Sequence, residues 1–242
     1  MDVAPAGGLR LFRNRPGEDF AQGPVAGMDE CLPTIAACSW QGRSLPDHGE
    51  VWSEAWQVDC EAWESGIMKT SIKLKLSPLE FERTLELSGH EVRLGYRLTN
   101  VNTCEESFLW AIHPLLKLCP GDRLEAPAST TGQLIGTAWA GAVESAIPEN
   151  HYVKVFAGPI SEGWVAINNQ HTSDRLELEW DPAENGTLGL WLTRDGWHGH
   201  QHFAPEPTNA DVDALNLAAQ RNCCGVVPPS ASVTWDVCLR ID

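Results

Sequence analysis

Apolar and polar residues alternate along much of the chain, and this period of two predicts β-strands rather than helices. The alternation is clearest over residues 71–76, 81–87 and 91–100, and the last two segments are joined by the short turn SGH. Because the connections are short, these segments predict an antiparallel meander of hairpin-linked strands.

The same alternation returns in the second half of the chain, over residues 175–180, 187–194 and 232–241. The first two segments flank DPAENG, which is rich in turn-forming residues, and we therefore predict that they form a hairpin. The third segment predicts the last strand of the protein.

Helical spacing is rare in this sequence. Residues 210–220 predict one short helix, whereas residues 131–150 are weakly patterned and predict loop with short strands. No repeat or linker divides the chain. We therefore expect one all-β domain over residues 1–242, built from large antiparallel sheets with few short helices, whose concave face would offer a binding groove.

Charge and composition exclude several classes of function. The 242 residues include 33 acidic and 17 basic side chains, a net charge of −16 that argues against binding to nucleic acid or to an anionic membrane. The sequence has no apolar run long enough to span a bilayer, and its first 20 residues do not form a secretory signal. The eight cysteines contain no C-x-x-C pair, so we expect reduced thiols in a cytoplasmic protein.

His113 is the first candidate for chemistry. It lies in the apolar run SFLWAIHPLLKL, and on a strand over residues 108–118 it would share a face with Leu109, Ala111 and Leu115. One interpretation is a buried histidine with a backbone partner. The other is an acid or base in a groove, because imidazole titrates near neutral pH.

A second candidate is the segment SLPDHGEVWSEAW. After a proline turn it gathers Asp47, His48, Glu50, Trp52 and Trp56. Charged, imidazole and aromatic groups on one loop suit the recognition of a polar ligand. An ordinary polar loop with tryptophan anchors would have the same composition.

The third candidate is WHGHQHFAPEPTN. On a strand, His198, His200 and His202 would share a face, a spacing at which histidines can bind zinc, but a solvated rim explains them as well and we expect no metal. Glu206 lies between two prolines that restrict the backbone, which suits a general base. A surface-loop acid is the alternative.

Nucleotide and serine-hydrolase motifs are absent from the sequence. It contains no P-loop, no G-x-G-x-x-G, no H-E-x-x-H and no G-x-S-x-G. A nucleotide cofactor and serine hydrolysis therefore have no support.

Taken in order, three segments resemble the aldose 1-epimerase (galactose mutarotase-like) superfamily over roughly residues 27–242. The first is GMDECLPTI with LPDHGEVW, which contains Pro-x-His-Gly. The second is FERTLELSGHEVRLGYRLTNVNTCEESFLWAIHPLLKL, which ends near a His-Pro dipeptide. The third includes LGLWLTRDGW, FAPEPTNADVDAL and GVVPPSASVTWDVCLRI, with a Glu-Pro dipeptide.

This resemblance implies a β-supersandwich whose groove interconverts the α and β anomers of a hexose. His113 would be the general acid, protonated at the start, and Glu206 the ionised general base. The reaction would require neither a metal nor an organic cofactor.

The resemblance and the composition of the second segment together imply the contacts of a small sugar, an aldohexose or a derivative of one. The expected substrate-binding residues are His48, Asp47, Arg43 and Trp52. A non-catalytic sugar-binding module on the same scaffold is the alternative, because a fold does not determine a function. The sequence indicates no oligomeric state.

Overall fold

Strands make up about half of the residues that the computed structural model describes, which are residue 20 and residues 27–135, 147–172 and 174–242. The described helices are short: α1 (Cys60–Glu64), α2 (Ala128–Ile135) and α3 (Leu215–Gln220). The strands are β1 (Gly27–Cys31), β2 (Cys38–Trp40), β3 (Arg43–Leu45), β4 (Gln57–Val58), β5 (Met68–Lys73), β6 (Leu79–Ser88), β7 (Glu91–Asn100), β8 (Glu106–Phe108), β9 (Ala111–Lys117), β10 (Asp122–Glu125), β11 (His151–Ala157), β12 (Trp164–Asn169), β13 (Arg175–Trp180), β14 (Thr187–Arg194), β15 (Gln201–Thr208), β16 (Gly225–Val227) and β17 (Ser232–Ile241).

Two large antiparallel sheets dominate the described residues. The larger has eight strands in the order β10-β12-β13-β17-β7-β6-β5-β4, and the smaller has five in the order β1-β9-β15-β14-β11. Two further pairs, β16-β8 and β2-β3, lie outside these sheets. The predicted all-β class with few short helices is therefore confirmed.

The predicted meander is also confirmed. Strands β5, β6 and β7 are consecutive neighbours, and β6 pairs with β7 along its whole length. In β7 the alternation buries every second side chain, among them Val92, Leu94, Tyr96 and Leu98. The first strand differs slightly from the prediction, since β5 covers Met68–Lys73 rather than residues 71–76.

The predicted hairpin between β13 and β14 is wrong. β13 pairs with β12 and β17 in the eight-stranded sheet, whereas β14 pairs with β11 and β15 in the five-stranded sheet. The turn DPAENG therefore carries the chain from one sheet to the other. It is anchored by the indole of Trp180, which donates to the carbonyl of Asn185 at 2.8 Å. Turn residues specify a reversal of the chain but not the partner of the next strand.

Three other boundaries differ from the sequence predictions. The helix predicted over residues 210–220 begins only at Leu215, because the carbonyl of Asp213 instead accepts the amides of Ile35 and Ala36. The segment predicted as loop and strands over residues 131–150 contains the end of α2, and its residues 136–146 lie outside the described residues.

The strand predicted over residues 108–118 is divided into β8 and β9. At the division the amide of Trp110 donates to the side chain of Asn209 at 2.8 Å, so it does not take part in a ladder. The strand that carries His113 therefore starts at Ala111.

Aromatic rings fill the core between the two large sheets. Phe81 stacks on Tyr96 with ring centroids 5.7 Å apart, and Trp235 packs on both. Glu30 of β1 is buried beside them, where both of its oxygens accept from Arg83 at 2.7 and 2.9 Å. This ion pair ties the edge strand β1 to the eight-stranded sheet.

Several expectations about the whole chain stay predictions. The single domain over residues 1–242 and the absence of a secretory signal both involve residues 1–19, which lie outside the described residues. No described helix is long and apolar enough to cross a membrane. All eight cysteines are free, and a cytoplasmic location stays a prediction.

Phe81 tests the aromatic core. Truncation of this fully buried ring by Phe81→Ala should lower the free energy of unfolding by about 3–5 kcal/mol, because it leaves a cavity among stacked rings. Urea denaturation measures the change. Leu87→Ala on the same strand is the matched control, since Leu87 is 70% exposed and its truncation should change stability by about 0.5 kcal/mol or less. Equal losses in the two variants would contradict this description of the core.

Candidate active site

The outer face of the five-stranded sheet carries a cluster of ionisable side chains. Successive side chains of a strand point to opposite faces. In this sheet one face packs into the core through residues such as Ile112, Leu190 and Phe203. The residues of the opposite face include Asp29 of β1, His113 of β9, Glu206 of β15, Trp191 of β14 and Lys154 of β11.

Strand register brings three of these groups into one row. Asp29 is paired directly with His113 across β1 and β9. The pairs that flank this point between β9 and β15 keep one register, which places Glu206 opposite His113. Gly189 follows Glu206 in the row, and a Cβ there would lie 3.4 Å from the Cβ of Glu206. The side chain of Glu206 therefore lies beside a residue that has no side chain, Gly189.

Prolines flank both candidate catalytic residues inside the sheet. Pro114 follows His113, and Glu206 lies between Pro205 and Pro207. Proline is rare in central strands because it cannot donate to the ladder, but it fixes its own φ and restricts its neighbours. Glu206 is 0% exposed in β15, so the alternative of a surface-loop acid is wrong.

The imidazole of His113 lies between two carboxylates. Its Nε2 is 3.3 Å from Glu206 Oε1, and its Nδ1 is 3.7 Å from Asp29 Oδ1. The other oxygen of Asp29 is 2.9 Å from Nδ1 of His48. Asp29 therefore connects the two histidines, whose ring centroids are 4.8 Å apart. Sequence reasoning missed Asp29. The only signal for it was the alternation along β1, which turns Asp29 to the face opposite that of Glu30.

A strained loop holds His48 against the row. His48 has a φ of +59°, and its amide donates to the carbonyl of Ile35 at 2.6 Å. The following Gly49 has a φ of +73°, and a Cβ there would lie 2.1 Å from the carbonyl oxygen of Leu32. Only glycine fits this position, so the His-Gly dipeptide lets the loop press against the chain after β1 and bring the imidazole to Asp29.

Lys154 is a second residue that sequence reasoning did not place. Its ammonium contacts Oε2 of Glu206 and lies 3.6 Å from Oδ1 of Asp213. The lysine side chain is 17% exposed and the carboxylate of Glu206 is fully buried. The alternation of HYVKVFA puts Lys154 and Phe156 on one face, but the pattern does not say which sheet or strand that face meets.

Aromatic rings surround the histidines. The ring of Phe20 stacks on His48 with centroids 3.4 Å apart and an interplanar angle of 13°. Trp52 meets the same phenyl ring edge-on at 5.2 Å, and Trp197 lies 6.2 Å from it. Trp52 and Trp197, together with Trp191, 6.2 Å from His113, give the site an apolar wall, and Phe20 covers the ring of His48.

The other predicted sugar contacts are less directly connected to this cluster. Arg43 binds Glu106 at 2.9 Å and contacts Gln41, two groups outside the row. Asp47 is half-buried, and its charge acts on the thiol of Cys31, which lies 3.3 Å from Nδ1 of His48. The roles of Arg43 and Asp47 as substrate contacts stay predictions.

Burial and charge act in opposite directions on the central pair. Burial lowers the pKa of His113 well below 6.5, although Asp29 opposes the shift. Burial raises the pKa of Glu206, although Lys154 opposes it. Burial also acts to raise the pKa of Asp29, but His48 and His113 outweigh it and leave that pKa lowered. The unliganded site therefore favours neutral His113, in contrast to the protonated histidine expected from the sequence, because the ring is almost completely desolvated.

One group of described residues has donor atoms spaced for a metal ion. Single donor atoms of Asp29, His48 and His113 lie within 4.8 Å of one another, and zinc accepts such nitrogen and oxygen ligands. His198, His200 and His202 do not lie on one strand, because His198 lies in a turn with a φ of +49° and β15 begins after His200, although the rings of His200 and His202 stack with centroids 5.1 Å apart. The expectation of no metal stays a prediction.

Comparisons with known proteins find similarity in structure but not in sequence. No known protein-family model matches the chain, and no curated protein has a significantly similar sequence. Among solved structures, the Slr1438 protein of Synechocystis has a TM-score of 0.69 and 18% identity, over 89% of this chain and 78% of that one.

Two further structures have informative names. A galactose mutarotase-like protein of Clostridium acetobutylicum has a TM-score of 0.67 and 14% identity, over 92% of this chain and 81% of its own. A protein of Escherichia coli K12 named "putative aldose 1-epimerase" has a TM-score of 0.66 and 16% identity, over 92% and 85%. At these identities the likeness establishes a shared fold.

The protonation of His113 can be measured directly. Imidazole NMR signals, assigned by their loss in His113→Gln, should show His113 still neutral at pH 6.5, because burial disfavours the charged ring. Below pH 6.5 the unfolded chain takes up a proton that the folded site disfavours. The free energy of unfolding should therefore fall as the pH drops, by up to about 1.4 kcal/mol per pH unit, and less steeply in His113→Gln. A ring that protonates at or above pH 6.5 would contradict the expected effect of burial.

Proposed function

We propose that this chain, whose fold is that of galactose mutarotase-like proteins, is an aldose 1-epimerase-like isomerase that interconverts the α and β anomers of a hexose. The observation that carries the proposal is the facing pair of His113 Nε2 and Glu206 Oε1, 3.3 Å apart on neighbouring strands. His48 lies beside this pair. The substrate would be an aldohexose or a derivative of one, and the chemistry requires neither a metal nor an organic cofactor.

The pair supplies the two proton transfers that the reaction needs. Glu206 removes the proton from the C1 hydroxyl while His113 donates a proton to the ring oxygen, and the bond between C1 and O5 breaks to give the open aldehyde. Rotation about the bond between C1 and C2 presents the other face of the carbonyl. Reclosure with the two transfers reversed gives the other anomer, with no net change in protonation.

The charged neighbours promote the protonation states that this cycle requires. Asp29 places negative charge beside His113 and favours the imidazolium, and Lys154 places positive charge beside Glu206 and favours the carboxylate. Burial acts against both states in the unliganded site. A bound sugar supplies polar groups that offset this desolvation, so the active charge state is favoured when substrate is present.

The remaining groups fit the two kinds of surface that a sugar has. His48 binds Asp29 through Nδ1, which leaves Nε2 to contact a hydroxyl. The apolar C–H face of a pyranose can pack on tryptophan rings such as Trp52 and Trp197. In the described structure Phe20 occupies the face of the His48 ring, where it stacks at 3.4 Å.

Polarimetry of α-glucose and α-galactose tests the proposal. Wild-type protein should accelerate mutarotation, and Glu206→Gln should slow the catalysed rate by about 10²–10⁴-fold, because it removes the base but preserves the shape. The matched control is Glu162→Gln, an exposed residue outside the cluster, which should keep the wild-type rate. Addition of EDTA should leave the rate unchanged. Loss of activity on chelation would instead indicate a metal at Asp29, His48 and His113.

A wild-type rate equal to that of buffer would rule out the isomerase for these sugars. The alternative is then a non-catalytic sugar-binding module, which the neutral state favoured for His113 would suit. Calorimetry with the same sugars distinguishes the two functions, since heat of binding without turnover supports the module.

Phe20 should compete with the substrate for the face of His48. Phe20→Ala should lower KM by about two- to tenfold with little change in kcat, because an aromatic pair contributes about 0.5–1.5 kcal/mol that substrate binding must otherwise displace. Initial-rate kinetics measures both constants. A higher KM in the variant would show instead that Phe20 is a wall of the sugar site.

A further inference from the structure

Lys154 reaches the site from β11, which is the edge strand opposite β1 in the five-stranded sheet. It extends from the edge strand β11 to contact Oε2 of Glu206, with Asp213 Oδ1 at 3.6 Å and the ring of Phe156 centred 5.4 Å away. A carboxylate with no solvent exposure is strongly disfavoured unless a partner compensates its charge. Lys154 is the partner that compensates Glu206.

The two oxygens of Glu206 differ in their surroundings. Oε2 is occupied by Lys154. Oε1 is buried, faces His113 Nε2 at 3.3 Å and has no hydrogen-bond partner among the described residues. An oxygen with unoccupied lone pairs next to the acid is the one that can accept a proton from a substrate.

We propose that Lys154 is a positioning residue for the isomerase reaction: its ammonium holds Oε2 of Glu206 and thereby leaves Oε1 as the atom that receives the proton of the C1 hydroxyl. This inference rests on the proposed function. Lys154 keeps all of its own protons throughout, so the only transfer at this point is from the substrate oxygen to Oε1, and it is reversed when the ring closes.

The charge of Lys154 is itself maintained by its neighbours. Burial acts to lower the pKa of Lys154, but the carboxylates of Glu206 and Asp213 outweigh it and leave that pKa raised. Asp213 has a second contact with the site, because its carbonyl accepts the amide of Ile35, whose own carbonyl accepts the amide of His48. Asp213 therefore links Lys154, which holds Glu206, to the backbone of the loop that carries His48.

Several other charged groups face this carboxylate. The titratable groups that act on Glu206 or on its partners come from four other parts of the fold: His113 on β9, Asp29 and Cys31 on β1, His48 on the loop after β3, and Asp213 between β15 and α3. Of the residues that act directly on Glu206, Lys154 has the largest effect after burial. Its removal should therefore dominate any change in the titration of the base.

The pH dependence of kcat/KM distinguishes positioning from a merely structural role. Lys154→Met keeps the length of the side chain but removes the charge, so the acidic limb of the profile, where Glu206 takes up a proton, should move up by about 1–3 pH units. Lys154→Arg keeps the charge and should leave that limb near its wild-type position. Lys117→Met, an exposed lysine on the same sheet, is the matched control and should not change the profile. An unmoved acidic limb in Lys154→Met would overturn the proposal.

Carbon-13 NMR of the Glu206 carboxyl, assigned with Glu206→Gln, gives a readout that needs no turnover. The carboxyl should titrate at higher pH in Lys154→Met than in wild type, and at nearly the wild-type pH in Lys154→Arg. Identical titration in wild type and Lys154→Met would overturn the inference, whatever the kinetics. A wild-type protein without mutarotation would remove the proposed function, while this titration would still decide whether Lys154 holds the charge of Glu206. If Lys154→Met fails to fold by near-UV circular dichroism, Lys154→Gln takes its place in both measurements.

Discussion

Compensation of buried charge is the constraint on which this site depends. Glu206 is fully buried in the middle of a sheet, and its stability as a carboxylate depends on the ammonium of Lys154. Across the sheet, basic and acidic side chains alternate in the order Lys154, Glu206, His113, Asp29 and His48. Buried ion pairs contribute little to stability relative to apolar packing, but the loss of one member leaves the other uncompensated. The cluster therefore adds little to the stability of the fold, which fits the proton-transfer role proposed for it.

Two carboxylates on β1 show how the fold separates these roles. Glu30 faces the core and is neutralised by Arg83, with the hydroxyl of Tyr96 at 3.3 Å. Its neighbour Asp29 faces the opposite way and contacts two histidines. Adjacent residues of one strand thus hold the sheets together and organise the site, because alternation sends them to opposite faces.

Rigidity is the second requirement of the site, and here it is obtained from the backbone. The prolines beside His113 and Glu206 restrict the backbone, although they cannot donate hydrogen bonds to neighbouring strands. The left-handed loop at His48 depends on Gly49, because a side chain there would clash with the backbone of Leu32. Proton transfer requires donor and acceptor to be held at hydrogen-bond distance of the reacting atoms. Local backbone restriction provides this without relying on side-chain packing alone.

The sequence by itself determined the all-β class, the meander of β5, β6 and β7, and the segments that carry His48, His113 and Glu206, because these depend on local periodicity and on ordered motifs. The tertiary structure decided which strands are neighbours: β13 and β14 are consecutive and joined by turn residues, yet they belong to different sheets. It also decided that Asp29 and Lys154 join the site, since strand parity gives a face but not the partner that the face meets. The charge state of His113 likewise depends on burial, and burial is a property of the assembled sheets that no local pattern contains.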